Sequence, residues 1–104
     1  MSPVLNLADA ISRLSLIEAE IRSLGVHRLA LFGSVLAGRT HPQSDVDLLV
    51  QFAPGAKSYD RFISLAELLE QNLGRRVELV TTEALSPYLG PRILAEAKDV
   101  LRAA

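Results

Sequence analysis

Asp45-Val46-Asp47 sets two carboxylates one residue apart at the head of an apolar run, and the preceding apolar run ends in Gly33-Ser34. Successive residues of an extended chain rise about 3.3 Å and point to opposite faces, so Asp45 and Asp47 would leave one face about 6.6 Å apart along the strand. Carboxylates that close repel unless something positive sits between them. Hard oxygen donors of this kind suit a hard cation, Mg2+ or Mn2+. Gly33-Ser34, placed between a strand and a short helix, would leave free backbone N–H groups for a phosphate, with close approach at Gly33 and a hydroxyl donor from Ser34. Each signal also has a plainer reading: Ser44-Asp45 as a turn at a wet strand end, and Ser34 as an ordinary helix cap. No lysine follows at P-loop spacing, so this is not a P-loop.

The two signals gain meaning together. Ten residues separate Ser34 from Asp45. For the end of the first strand to lie beside the start of the second, the two must run antiparallel. Glu78, near the start of a third apolar run, reaches the same place only if that strand runs parallel to the second. The intervening helix is a suitable crossover for such a pair. The expected fold class is α/β of the α+β type: a three-stranded mixed sheet, order 1-2-3, packed against helices, with three acids and a Gly-Ser loop at one end.

The remaining elements follow from periodicity. Leu7, Ile11, Leu14, Ile17, Ile21 and Leu24 recur at helical spacing, predicting one helix over Asn6–Leu24 with Asn6 as cap and Gly25 as stop. Arg28–Phe32 and Val46–Phe52 read as strands, the second apolar enough to be buried on both faces. Ser58 or Asp60 opens a second amphipathic helix that closes at Gly74. Val77–Thr81 is the third strand, and Thr82–Ser86 could form a helical turn. Pro91 suits the first turn of a final helix whose apolar face is Ile93, Leu94, Ala97, Val100 and Leu101. Arg75 and Arg76 follow a helix end, where cations are favoured anyway. Arg39 and His41 fall in the loop between the first two strands, where solvent exposure competes with a phosphate contact. Arg92 in the last helix could point at a nucleotide.

Composition narrows the function classes. The chain has 104 residues, expected to form one domain over 1–104, and its hydrophobic fraction of 49% comes with few aromatics, so the core must be aliphatic. That much apolar surface on a small chain points to homo- or hetero-oligomerisation. A net charge of −1 disfavours long nucleic acid as partner. The absence of cysteine excludes disulfides, thiolate metal sites and a cysteine nucleophile. With no leader-like start and no membrane-length apolar run, a cytoplasmic location is expected and a membrane partner is not.

Gly33-Ser34, ten residues, then Asp45-Val46-Asp47-Leu48-Leu49-Val50 resembles the nucleotidyltransferase signature of the DNA polymerase beta superfamily. Nearly the whole chain, VELVTTEALSPYLGPRILAEA above all, looks like the minimal nucleotidyltransferase (MNT) group. The resemblance implies a polymerase-beta-like nucleotidyltransferase fold and transfer of AMP from ATP to a hydroxyl. By it, Asp45 and Asp47 hold Mg2+ on the triphosphate, Gly33 and Ser34 bind its phosphates, and Glu78 is the third acid. That third acid would help hold a second ion and accept the acceptor's proton. The chain departs from the family pattern at Ala37, where an arginine is frequent, with Arg39 two residues further as a possible substitute in phosphate binding. It departs again at Glu78, one methylene longer than the common aspartate. The resemblance further implies a HEPN-domain toxin as partner, presented in trans, with this chain as the antitoxin that adenylylates a tyrosine on it. The alternative is a catalytically weak or inactive subunit that neutralises its partner by binding.

Overall fold

The computed structural model describes residues 7–33, 45–88 and 90–101. In chain order the elements are α1 (Leu7–Ser15), α2 (Glu18–Ser23), β1 (Val26–Phe32), β2 (Val46–Phe52), α3 (Tyr59–Leu73), β3 (Val77–Thr81), a 3-10 turn (Thr82–Ala84), α4 (Gly90–Glu96) and β4 (Lys98–Leu101). The strands form one mixed sheet in the order β3-β2-β1-β4. β1 runs antiparallel to β2, and β2 parallel to β3, as the site argument requires.

The sheet has two unlike faces. Val26, Leu29, Leu31, Val46, Leu48, Val50 and Phe52 turn to one side, where Ala10, Leu14, Ile21, Leu65, Leu69 and Leu73 from the helices complete an aliphatic core. Burying each leucine there contributes roughly 1.5–3 kcal/mol. The alternate residues of β2, Asp47, Leu49 and Gln51, belong to the other face. Leu49 is as buried as its core-facing neighbours, so β2 is covered on both sides, as its apolar sequence implied. α3 is the crossover between the parallel strands. It opens at Ser58, whose hydroxyl accepts from the Arg61 N–H at 3.2 Å, and ends at Gly74.

The structure corrects three expectations. The single helix predicted over Asn6–Leu24 is two, α1 and α2, separated at Leu16-Ile17. There the Leu16 and Ile17 N–H groups bond three residues back, to Arg13 and Leu14, and the Ser15 hydroxyl donates to the Ile11 carbonyl at 2.8 Å. Such a serine competes with the helical ladder and bends it. The apolar stripe survives the break, since Leu7, Ile11, Ile17 and Leu24 all pack on the core. β1 begins at Val26 rather than Arg28, with a register irregularity between the two.

The third correction concerns the C-terminal segment. The final helix stops at Glu96, and Lys98–Leu101 is a fourth strand, antiparallel to β1. The three-stranded sheet in order 1-2-3 therefore gains β4 beyond β1. Without it β1 would be an edge, leaving a row of unpaired backbone groups beside the fully buried Leu29, Ala30 and Leu31. Leu101 lies opposite Leu29 and joins the core, while Asp99 lies opposite Ala30 and accepts from Arg28 Nε at 2.6 Å.

Candidate active site

β2 is an inner strand, between β3 and β1, and its first residues decide where the acids go. Phe32 of β1 and Glu78 of β3 both stand opposite Asp47 in register. Gly33, which follows Phe32, therefore closes on Asp47 from one side, while Glu78 flanks it on the other. Asp45 directly precedes β2, two residues from Asp47, so the pleat returns it to the same face. Burial alternates accordingly: Asp45 and Asp47 are half-buried, Val46 and Leu48 fully buried, and Glu78 exposed. The acidic end of the sheet lies on the face away from α1 and α3.

Gly33 is shaped to this contact. Its φ is +75°, a region that L side chains rarely adopt. A Cβ there would lie 2.9 Å from the Asp47 Cγ and 3.2 Å from its Cβ, and closer still to Oδ2. The glycine expected to admit a phosphate is thus also the residue that leaves room for the Asp47 carboxylate.

Two hydrogen bonds fix the start of β3, one to β2 and one to α3. The Val46 N–H donates to the Arg76 carbonyl at 2.8 Å, and the Val77 N–H donates to a Glu70 carboxylate oxygen of α3 at 2.9 Å. The Glu70 bond ties the exit of the crossover helix to the first residue of β3, one before Glu78. The register also carries Arg76 to the level of Asp45. Along the sequence this residue reads as a cation after a helix end; its spacing two residues before Glu78 is the signal that places it on the site face.

The structure thus gathers Gly33, Asp45, Asp47 and Glu78 at one end of the sheet. Ser34, Arg39, His41 and Ala37 lie outside the described residues. Arg92 pairs with Glu96 on its own helix at 3.3 Å. A hollow of about 410 Å3 lined by Lys57, Ser58, Tyr59, Phe62 and Thr81 opens at the other end of the sheet, beyond the last residue of β3.

On donor chemistry, Asp45 and Asp47 fit a hard divalent ion, which Mg2+ sites commonly hold by one or two carboxylates plus phosphate oxygens and water. Glu78 does not join them in a ready-made cluster: among the described residues no three His, Cys, Asp or Glu side chains form a group that could hold a metal ion. Nor is any helix among them long and apolar enough to cross a membrane.

A mixed sheet presenting an Asp-x-Asp strand mouth against a strand-ending glycine agrees with the nucleotidyltransferase signature that the sequence resembles. The chain belongs to the nucleotidyltransferase domain family, whose profile matches residues 14–100, and is a minimal nucleotidyltransferase within it. It is 37% identical over 94 residues to the protein adenylyltransferase MntA of Thermococcus cleftensis, covering 89% of this chain and 94% of that protein. Its fold matches the solved structure of a candidate minimal nucleotidyltransferase with a TM-score of 0.78 and 33% identity, over 89% of this chain and 94% of the other. It also matches a chain of a toxin–antitoxin complex crystallised with AMP-PNP, with a TM-score of 0.64 and 26% identity, over 83% of this chain and 73% of the other.

Proposed function

We propose that this chain transfers AMP from ATP to a hydroxyl of a partner protein, a tyrosine of a HEPN-domain toxin, and so acts as the antitoxin of the pair. The observation that carries this reading is the placement of Asp47 between Gly33 and Glu78, with Asp45 two residues away on the same face. The likeness to a protein adenylyltransferase and to a toxin–antitoxin complex holding a nucleotide analogue supports the choice of donor and acceptor.

In the reaction the acceptor oxygen attacks the α-phosphorus. The new O–P bond forms as the bond to the β-phosphate oxygen breaks, pyrophosphate leaves, and the acceptor's proton passes to a base. Asp45 and Asp47 would hold Mg2+ on the triphosphate, where it would supply charge neutralisation for the attacking and leaving oxygens. By the family resemblance, Gly33, Ser34 and Arg39 would bind the phosphates. Glu78 stands beside Asp47, exposed on the acceptor side, and takes the proton or helps hold a second ion. A second reading has its own support: although Glu78 stands opposite Asp47 in register, among the described residues no three acids form a group that could hold a metal ion, which suits a subunit that binds nucleotide and partner without turning over.

The test is incubation of the purified chain with ATP, Mg2+ and the product of its neighbouring gene, followed by intact mass. Gain of an AMP unit on the partner, lost in Asp45→Asn and Asp47→Asn, is the expected outcome. A complex that forms in all cases with no adduct selects the binding subunit instead.

A further inference from the structure

Glu78 has little of its own to hold it. Its side chain is exposed, and it is the second residue of β3, a strand at the edge of the sheet. What the fold can fix is the backbone that carries it. We propose that Glu70 is a positioning residue for Glu78, clamping the entry of β3 from its open side so that the third acid stays level with Asp47. The inference rests on the transfer reading above and adds a residue to it.

Three observations carry it. The first is the direction of the bond. Val77 stands opposite Val46, and the Val46 N–H donates to the Arg76 carbonyl, so in a parallel ladder the Val77 N–H points away from β2. Among the described residues no strand lies on that side, and there Glu70 Oε2 accepts from Val77 at 2.9 Å. The start of β3 is thereby gripped on both edges, by β2 on one and by α3 on the other.

The second is that Glu70 brackets a loop. Its carbonyl accepts from the Gly74 N–H at 2.8 Å while its carboxylate accepts from Val77. One residue therefore fixes both the exit of α3 and the entry of β3, with only Gly74, Arg75 and Arg76 between helix and strand. The same helix end is anchored to α1, where Arg13 Nη1 donates to the Leu73 carbonyl at 3.0 Å. The third is the cost to the helix. Glu70 lies in the last turn of α3, which holds no basic residue, and a carboxylate there meets the negative end of the helix dipole. A neutral residue would suit α3 better, so the helix does not account for Glu70; the Val77 N–H does.

The experiment measures AMP transfer to the partner by the whole chain, as kcat and as KM for ATP, at a temperature where every variant is folded. The variants are Glu70→Gln, Glu70→Ala and Leu101→Ala. Glu70→Gln keeps an acceptor for the Val77 N–H and should stay within about twofold of wild type. Glu70→Ala is expected to lower kcat about tenfold, since a misplacement of about 1 Å can cost a hundredfold. Its KM for ATP should not change, because Asp45 and Asp47 are held by β2. Leu101→Ala, destabilised at the opposite edge of the sheet, should keep wild-type kcat. A kcat unmoved in Glu70→Ala, a KM that rises as far as kcat falls, or an equal loss in Leu101→Ala overturns the role given to Glu70. Wild-type protein that yields no adduct overturns the transfer reading instead. Hydrogen exchange at the Glu78 amide needs no turnover: faster exchange in Glu70→Ala then still supports the positioning, and unchanged exchange overturns it as well.

Discussion

Gly33→Ala separates two effects that meet at the same residue. The first is backbone: an alanine held at the φ of +75° found here carries about 1–2 kcal/mol of strain. At about 4–8 °C per kcal/mol for a domain of this size, melting should fall by roughly 5–15 °C. The second is contact: the new methyl would stand 2.9 Å from the Asp47 Cγ, so the carboxylate must turn away from its place. Displacement of a reacting-site group by about 1 Å can lower rate a hundredfold. Gly55→Ala supplies the comparison, because Gly55 has φ +76° and nothing within 4 Å of the added Cβ. Urea unfolding and Mg–ATP affinity measured on both should show the backbone cost in each, a further contact cost in Gly33→Ala, and a loss of nucleotide binding in Gly33→Ala alone. In an Asp47→Ala background the contact is gone, and the stability cost of Gly33→Ala should shrink toward that of Gly55→Ala. If Gly33→Ala keeps wild-type nucleotide affinity, the close fit of Gly33 to Asp47 has no bearing on function.

Other outcomes follow from the same geometry. Glu70→Ala leaves the half-buried Val77 N–H without its acceptor, which should cost about 1–3 kcal/mol in urea unfolding. Hydrogen exchange should then speed up at Val77 and Glu78 before the rest of β3. Leu101→Ala should cost about 2–5 kcal/mol, a figure that a solvent-facing helix end would not produce. The Glu83 carboxyl is held below the ordinary carboxylate range, first by its hydrogen bond from Lys57 and then by Thr82. Its folded state thus favours the ionised form: any stabilisation is present above the ordinary glutamate range and lost as pH falls through the lowered folded value. NMR titration should find that shift diminished in Lys57→Met.

What was legible in the sequence depended on whether one constraint or two acted on a segment. Val46–Phe52 had to satisfy a buried central strand and an acidic mouth together, so its bounds and the direction of both neighbours followed from residue types. Glu78 fell beside Asp47 because the α3 crossover permits a parallel pair and little else. The α1–α2 break was hidden because the apolar stripe from Leu7 to Leu24 continues across it; the bend arises from Ser15 and local hydrogen bonds, which periodicity does not register. β4 was hidden for a related reason. Ile93, Leu94, Ala97, Val100 and Leu101 satisfy a helical spacing, yet the need that decides their structure lies seventy residues away, in the unpaired edge of β1. Arg76 shows the same limit at the site. Read along the chain it is a cation after a helix, and only the register with β2 makes it the neighbour of Asp45. A pattern read along the chain can identify a strand, but the charge that strand brings to its neighbour is set by pairing.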